Sequence, residues 1–500
     1  MSGDEYKLIT DRVGLVGGIA LLMGTAIGMS IFLVPTQMMQ EAGPSITVAI
    51  LLSIFPMVFG ILLLLQLGGA IPVAGGNYVY GSRLVGPFWG LLAVAIPVIA
   101  VWSYLLFAAL GFAEFLPVLL DALGVSLSTP GALDGLPIDL GALAAVWGLL
   151  AFFLAINYRG IQLVTKVQIA LVVLFCAGML TFVVGGFLSF DADNFTPLFP
   201  DGEGQPFADG LAPFFLAAVV LYIPFQGFAM IIEIGEELDD PVKNIPRVLA
   251  VGMSLVAVLT IAVVFALVGA VPWEEVTDAA VEGGIAGVAD AHGILPTFGV
   301  GLVALAALIA AATTVNTLLT SYSRTIMRAS RDNVVPDYFA AIHGEHGTPH
   351  RSIALLGLVP IALAPFFVSI DTIGAVDVLD WLVTLTVTGI FIAFMIAGVA
   401  LWNLPKVFPQ RYEFSFYRLP MPVLKVVAVG NVVISFIFTL LVAASAPTAL
   451  VAMFVWLLVA AGMYVYRVRR YAKRGVDLKA EMSLLHKHEK LGGSNTDGGD

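Results

Sequence analysis

Residues 24–35 read GTAIGMSIFLVP and lie inside an otherwise apolar stretch near the start of the chain. Gly24, Gly28 and Pro35 interrupt this stretch, because a glycine in a helix interior costs about 1 kcal/mol relative to alanine and proline removes a backbone donor. In lipid, backbone groups freed by a break must find partners within the protein or line a cavity. A broken first span is typical of a carrier with a binding site at the bilayer midplane. Small residues four apart also suit plain helix packing, so the stretch alone leaves both interpretations open.

The composition is that of a membrane protein. The mean hydropathy is +0.99, 59% of the residues are apolar and only 12% are charged. Since one crossing needs roughly 20 apolar residues, twelve spans are predicted, at 13–35, 45–67, 88–112, 141–157, 165–188, 211–232, 248–271, 297–322, 353–370, 381–402, 422–444 and 448–467. The predicted fold class is therefore an all-α integral membrane protein with twelve transmembrane helices.

Span 6 carries a second interruption. Residues 221–238 read LYIPFQGFAMIIEIGEEL, with Pro224 and Gly227 three residues apart. Broken spans 1 and 6 are five spans apart, which matches a five-plus-five inverted repeat led in each half by a broken helix. The predicted organisation is a cytoplasmic N-terminus (1–12), a first repeat with helices 1–5 (13–210), a second repeat with helices 6–10 (211–403), helices 11 and 12 (404–467), and a partly disordered cytoplasmic tail (468–500).

The distribution of charge predicts the orientation. With an even number of spans, all 23 Lys and Arg residues fall at span ends or in loops of one side. The loops of the opposite side are acidic and contain no basic residue. Because cytoplasmic loops are enriched in Lys and Arg, we expect a multi-pass protein of the cell membrane with both termini in the cytoplasm.

Five short sequence motifs follow one another along the chain, at spacings that match those of a known family. They are Gly24–Phe32 (G-[ST]-x-I-G-x-[GS]-I-F), 70–90 (AIPVAGGNYVYGSRLVGPFWG), 157–168 (NYRGIQLVTKVQ), Phe225–Phe228 (F-x-G-F) with the following EE-x(3)-PVKNIPR, and 323–339 (SRTIMRASRDNVVPDYF). In these motifs the chain resembles the amino acid–polyamine–organocation permeases from about residue 13 to residue 425. The motifs are specific for the superfamily and say little about the substrate.

The resemblance implies a substrate site at the two breaks. Backbone N–H groups freed in span 1 would bind a carboxylate at a half-helix N-terminus, and freed carbonyls of span 6 would accept from an ammonium group. The predicted substrate-binding residues are Ala26, Ile27, Gly28, Met29, Ser30, Ile223, Pro224, Phe225, Gly227 and Phe228. None of them is charged, which favours a neutral amino acid. Trp102 and Tyr104 could also wall the site, although core packing is the more common role.

Two departures from the family bear on the coupling ion. Ala229 stands where many members carry an acid, and Phe175 stands where many proton-dependent or exchanging members carry a lysine. Apart from Cys176 and tyrosines, we expect no ionisable side chain deep in any span. Since buried acids and bases are the usual machinery of proton relays, this pattern argues against proton coupling.

Sodium needs only hard oxygen ligands. Residues 310–314 match the A-x-x-[ST]-[ST] of sodium-coupled transporters that share this fold. The predicted ligands are the carbonyls of Gly24, Ile27 and Ala310 and the hydroxyls of Thr313 and Thr314. Membrane threonines often merely bond the carbonyl one turn earlier. Uncoupled exchange, uniport and proton coupling therefore stay open as alternatives.

Charged residues at one end of the bundle suggest a gate. Arg324, Arg328 and Arg331 share a helix face at i, i+4 and i+7. An acidic segment containing Glu236 and Glu237 follows span 6. Ion pairs between the two groups would close an inner gate, whereas simple solvation at the membrane surface is the alternative.

The predicted function is secondary active transport of amino acids by alternating access, and no enzymatic activity is expected. The predicted partners are an amino acid and the lipid bilayer, with no nucleic acid and no cofactor beyond a candidate sodium ion. The sequence does not indicate an oligomeric state. A channel or a membrane subunit of a complex is the alternative class. A redox or proton-pumping subunit would need heme-ligating histidines or buried relays, and all six histidines fall in loops or the tail.

Overall fold

The computed structural model describes residues 13–124, 139–202, 205–374 and 376–483. It is 81% helical. The predicted N-terminal segment 1–12 and the end of the predicted tail, 484–500, lie outside the described residues.

The helices follow one another along nearly the whole described chain. The α-helices are α1 (Leu15–Ala26), α2 (Ser30–Ala42), α3 (Ile46–Ala70), α4 (Gly76–Tyr80), α5 (Pro87–Ala122), α6 (Leu140–Tyr158), α7 (Ile161–Leu188), α8 (Ala212–Val220), α9 (Met230–Glu233), α10 (Pro241–Ala270), α11 (Asp278–Glu282), α12 (Gly284–Ala291), α13 (Thr297–Arg331), α14 (His350–Val368), α15 (Val378–Val407), α16 (Pro409–Glu413), α17 (Met421–Ser445), α18 (Pro447–Ala472) and α19 (Leu478–Ser483). Short 3₁₀ segments lie at Gly43–Ser45, Ala192–Phe195, Ile223–Ala229, Gly235–Glu237, Trp273–Glu275 and Asp337–Ala340, and a π-helical turn lies at Gly81–Val85. Two short antiparallel strands, β1 (Thr372–Ile373) and β2 (Val376–Asp377), precede α15.

Eleven stretches of the described chain are long and apolar enough to cross a membrane, which confirms the predicted helical membrane class. Ten of them correspond one to one to predicted spans 3–12. The remaining stretch, Leu15–Ala70, has 56 residues and contains predicted spans 1 and 2. At about 1.5 Å per helical residue it is far longer than a single crossing of about 30 Å requires.

Helix α13 lies at the centre of the bundle. Every residue from Ala306 to Ser330 is buried, and α5, α7 and α1 pack against it. By contrast, α17 and α18 expose large apolar side chains such as Val426 and Phe454. Because α13 also carries many threonines, serines and arginines, these polar groups must find partners inside the protein.

Both predicted breaks are present in the backbone. Helix α1 ends at Ala26 and α2 begins at Ser30, with Gly28 between them at φ +50°, a conformation that favours glycine. In span 6 the 3₁₀ segment Ile223–Ala229 separates α8 from α9. Pro35 does not close the first span as expected, since α2 continues to Ala42.

The two breaks touch each other. A Cβ atom on Gly227 would lie 2.2 Å from the carbonyl carbon of Thr25 and 2.3 Å from the backbone nitrogen of Ala26. Only a residue without a side chain allows this approach. The contact holds the interruptions of spans 1 and 6 at the same level of the bundle.

The two ends of the described chain lie at one end of the bundle. The Val13 N–H donates to the Glu237 carbonyl at 3.0 Å, and Arg83 Nη1 donates to the Met482 carbonyl in α19 at 2.8 Å. We call this the arginine end, because Arg83, Arg324, Arg328 and Arg331 also lie here. At the opposite end a wide vestibule is lined in part by Gln37, Glu114, Asp290 and Thr297.

Candidate functional site

A small cavity of about 30 Å³ lies beside the two breaks. Its lining comes from the 70–80 segment, α5, the end of the 3₁₀ segment in span 6, α13 and α15. The lining residues are Asn77, Pro97, Ala100, Val101, Tyr104, Ala229, Leu318, Tyr322, Thr386, Gly389, Ile390, Ala393 and Phe394. None of these side chains is charged, so the cavity suits a small ligand without a charged side chain.

Gly28 faces two hydroxyl groups. A Cβ atom on Gly28 would lie 2.8 Å from Thr314 Oγ1 and 2.9 Å from Tyr104 Oη. Among the described residues, the backbone N–H groups of Gly28 and Met29 donate no backbone hydrogen bond. The turn therefore presents free donors beside the cavity, at the start of α2, where an anionic group is favoured.

Of the aromatic residues considered for the site, some line the cavity and others pack inside the bundle. Tyr104 lines the cavity and is also buried in the core, at 3% exposure. Trp102 packs edge-on against Trp456 at 5.3 Å. Phe228 stacks on Phe394 at 5.4 Å and stands behind the cavity wall, and Phe225 is fully buried.

A cluster of oxygen atoms joins α1 to α13. Thr313 Oγ1 donates to the carbonyls of Ala310 at 2.8 Å and Gly24 at 3.1 Å. Thr314 Oγ1 reaches the same two carbonyls at 3.0 and 3.3 Å. The bonds to Ala310 are ordinary bonds within a helix, but Gly24 belongs to another helix. Four of the five predicted sodium ligands thus meet, while the Ile27 carbonyl accepts from Ser30 Oγ at 3.1 Å.

Phe175 lies close to this cluster. Helices α7 and α13 run antiparallel, since Gln168 Oε1 accepts from Asn316 Nδ2 at 2.9 Å and a Cβ on Gly178 would lie 2.4 Å from Ala306 Cβ. Between these two contacts, Phe175 falls at the level of Ala310, and it is fully buried. Phe175, where the resemblance implies a lysine in many members, therefore lies near the level of the oxygen cluster.

The arginines and the acidic segment form ion pairs at the arginine end. Arg324 Nε and Nη2 donate to the two carboxylate oxygens of Glu237, both at 2.8 Å, and both side chains are 1% exposed. Arg331 Nη1 lies 3.8 Å from Glu236 Oε2. Arg328 lies instead 3.9 Å from Asp332. Simple surface solvation is therefore wrong for Arg324, whose charge is neutralised inside the protein.

A further ion pair at this end was not predicted. Arg83 Nη1 lies 2.6 Å from Asp332 Oδ2 with both side chains fully buried, and Tyr78 Oη donates to the same oxygen at 2.7 Å. Burial, with the Asp332 carboxylate as the second cause, raises the pKa of Tyr78 well above its usual value, so the phenol keeps its proton. These contacts tie the end of α13 to residues 78–83.

The sequence model of the amino acid permease family matches residues 13–461, which is most of the chain. The chain belongs to the amino acid permease family. This permease is 24% identical over 478 residues to the branched-chain amino acid permease of Bacillus subtilis, covering 93% of this chain and 95% of that protein. It is 26% identical over 424 residues to the branched-chain amino acid permease of Lactococcus lactis, covering 84% and 87%. It is also 26% identical over 426 residues to the methylthioribose transporter of Bacillus subtilis, covering 82% and 84%.

These relationships confirm the resemblance to the amino acid–polyamine–organocation superfamily. Because the family and these relatives are permeases and transporters, the permease is a multi-pass membrane transporter and not an enzyme.

A buried acid of the permease lies just beyond the predicted sixth span, 211–232. Glu233, in the acidic segment after the span 6 break, is fully buried. It accepts hydrogen bonds from the Asn77 N–H at 3.2 Å and from Thr325 Oγ1. An ionisable side chain is therefore buried at the last residue of the stretch Ala212–Glu233. The reason is that α13 is buried as far as Ser330, so the acidic residues that face it are covered too.

Proposed function

We propose that the permease is a secondary carrier that moves neutral amino acids across the cell membrane by alternating access. The observation that carries this proposal is the meeting of two helix breaks beside a cavity without charged lining residues. The free N–H groups at Gly28 and Met29 suit the substrate carboxylate. Carbonyls in Ile223–Ala229 suit its ammonium group, and the uncharged cavity suits an apolar or small side chain.

The proposed topology has twelve spans in a five-plus-five inverted repeat, with the arginine end in the cytoplasm. It is supported by the positive-inside rule and by the location of both described chain ends at the arginine end. In this orientation the ion pairs close the cytoplasmic side, while the vestibule beside Gln37 and Glu114 opens outward. The structure would then correspond to an outward-facing state.

A competition assay in proteoliposomes tests the substrate class. We expect leucine, alanine or serine to inhibit uptake of a labelled neutral amino acid more strongly than arginine or glutamate does. Stronger inhibition by a charged amino acid would contradict the proposal. Accumulation of substrate against its gradient would separate a coupled carrier from a channel.

Gly28→Leu should abolish transport while the protein still reaches the membrane. The new side chain would meet Thr314 Oγ1 and Tyr104 Oη within 3 Å of its Cβ, and leucine disfavours the φ of +50°. Gly462→Leu is the matched control, because no atom lies within 4 Å of a Cβ placed there. Normal uptake by Gly28→Leu would rule out the turn as part of the substrate site.

We also propose sodium as the coupling ion, held by the carbonyls of Gly24, Ile27 and Ala310 and the hydroxyls of Thr313 and Thr314. All these ligands are hard oxygens, which suit sodium, and the bonds to Gly24 join two different helices. Uncoupled exchange or uniport is the second candidate, and it predicts equal uptake in sodium and in choline.

Thr314→Ala should raise the sodium concentration for half-maximal uptake about ten- to a hundredfold. Loss of one ligand at about 1.4–2.8 kcal/mol corresponds to this change, since each 1.4 kcal/mol is tenfold. Thr181→Ala is the control, because the Thr181 hydroxyl bonds only the Ala177 carbonyl of its own helix. An unchanged sodium dependence in Thr314→Ala, or none in the unmodified protein, would contradict sodium binding here.

A further inference from the structure

Glu233 is a fully buried carboxylate whose partners are both neutral. Its Oε1 accepts from the Asn77 N–H at 3.2 Å, and its Oε2 accepts from the Thr325 hydroxyl. In the part of the chain that the structure describes, no cationic side chain pairs with it, because Arg324 pairs with Glu237 and Arg331 with Glu236. An unpaired buried carboxylate is unfavourable, and proteins commonly neutralise such a group by protonation.

The elements packed against α9 determine which charged and titratable groups lie near the Glu233 carboxylate. Five elements pack against α9: α13, α1, α10, α4 and the 3₁₀ segment Ile223–Ala229. From α13, Tyr322 lies within electrostatic range of Glu233 and Arg324 is held by Glu237. From α4, Tyr80 faces it, and burial together with the Glu233 charge raises the Tyr80 pKa well above its usual value.

In the described part of the chain, the other elements packed against α9 place no cationic side chain against the Glu233 carboxylate. Helix α1 and the 3₁₀ segment have no titratable side chain in their sequences. Near its start helix α10 carries Lys243, which pairs with Asp240 at 2.7 Å, and Arg247, which lies over the Phe416 ring.

Glu233 stands between the cavity and the ion pairs of the arginine end. Asn77 and Ala229 line the cavity, and Glu233 follows Ala229 by one helical turn. On the other side, its partner Thr325 is the residue after Arg324. Glu233 therefore links Asn77 of the cavity wall to the helix that carries the ion-paired arginines.

We propose that Glu233 is a proton-binding residue of the transport cycle, which holds one proton while the arginine end is closed and releases it as that end opens. Buried ionisable groups in membrane spans are functional candidates by default. The coupling to substrate movement rests on the proposed carrier function. The proton site is separate from the Thr313–Thr314 cluster, so a sodium requirement and a proton requirement are tested with different gradients.

Protonation would leave the contacts of the closed end in place. A proton from water forms an O–H bond at one carboxylate oxygen, and no other covalent bond forms or breaks. The new O–H can donate to the Thr325 hydroxyl while the other oxygen still accepts from the Asn77 N–H, so both contacts persist in the neutral acid. Opening admits water, which favours the carboxylate, so the proton leaves as the arginine end opens and the charged form disfavours closure.

Cysteine labelling tests this step without any substrate. In a Cys176→Ser background, Ala229→Cys places one thiol in the cavity, and an impermeant reagent is added at the arginine end. Because the thiolate reacts, each rate is divided by the rate measured at the same pH after unfolding. We expect the corrected rate to fall severalfold as the pH is lowered, because protonation favours the closed state, and Glu233→Gln to give a low, pH-independent rate. Glu413→Gln, at an exposed position, should behave like the background.

A corrected rate that does not depend on pH, or a pH dependence that survives in Glu233→Gln, would overturn the proposal. If glutamine is poorly tolerated, Glu233→Leu is the second neutral variant, because apolar residues often replace buried charges well. A transport assay then separates this inference from the carrier function. With leucine and equal sodium on both sides, accumulation should rise about tenfold per unit of inward proton gradient, and the rise should vanish in Glu233→Gln. If the permease showed no leucine exchange at equal pH, the proposed substrate class would be wrong. The labelling result would then decide by itself whether Glu233 binds a proton.

Discussion

Arg324→Ala should shift the permease strongly toward states that are open at the arginine end. The substitution leaves the Glu237 carboxylate, 1% exposed, without its two charge-assisted hydrogen bonds. Breaking a buried pair by removing one partner costs about 3–5 kcal/mol. If opening hydrates Glu237, this cost falls on the closed state alone and changes the ratio of states by about two to three and a half orders of magnitude.

Labelling of Ala229→Cys in the Cys176→Ser background measures this shift, and its rate should rise steeply in Arg324→Ala. Arg159→Ala is the control, because Arg159 is an exposed arginine. Adding Glu237→Ala to Arg324→Ala should restore part of the closed state, since no charge is then left unpaired. Arg331→Ala should have a smaller effect, because its ion pair with Glu236 is longer, at 3.8 Å, and partly exposed. Unchanged labelling in Arg324→Ala would show that the pair does not close the pathway.

Gly227→Ala should abolish transport, although it adds a single methyl group. That methyl would lie 2.2 Å from the Thr25 carbonyl carbon and 2.3 Å from the Ala26 nitrogen. These are backbone atoms of the other broken helix, so no rotation of a side chain can relieve the overlap. The two breaks must separate, and the free donors at Gly28 then move away from Tyr104 and the cavity that Tyr104 lines.

Uptake by Gly227→Ala in proteoliposomes, normalised to the amount of folded protein, checks this prediction. Gly148→Ala is the matched control, because a Cβ there meets nothing within 4 Å and alanine stabilises an exposed helix by about 0.5–1 kcal/mol relative to glycine. Transport at the normal rate in Gly227→Ala would mean that the approach of the two spans is not needed for function.

The positions of the breaks and of the spans followed from local properties of the sequence. A membrane crossing is recognised by the length of an apolar run. The break at Gly28 follows from backbone freedom and the 3₁₀ segment at Pro224 from a missing donor. For the same reason the family motifs, which are short and local, identified the family before any contact was known.

The charged groups of the arginine end were only partly predictable. Helical spacing put Arg324, Arg328 and Arg331 on one face, and the nearby acidic segment suggested partners. The sequence could not show that Arg328 pairs with Asp332 or that Arg83 also pairs with Asp332. Those choices depend on how residues 70–86 fold back against the end of α13.

By itself the sequence determined the membrane class, the family, the two interruptions and the uncharged character of the predicted site, because each depends on composition or on neighbours along the chain. Only the tertiary structure decided which residues line the cavity, among them Asn77, Leu318, Tyr322 and Thr386. It alone showed that the Thr313 and Thr314 hydroxyls reach Gly24 on another helix and that Glu233 is buried. These facts depend on which helices are neighbours in space, and burial and hydrogen bonding between distant segments leave no periodic signal in the chain.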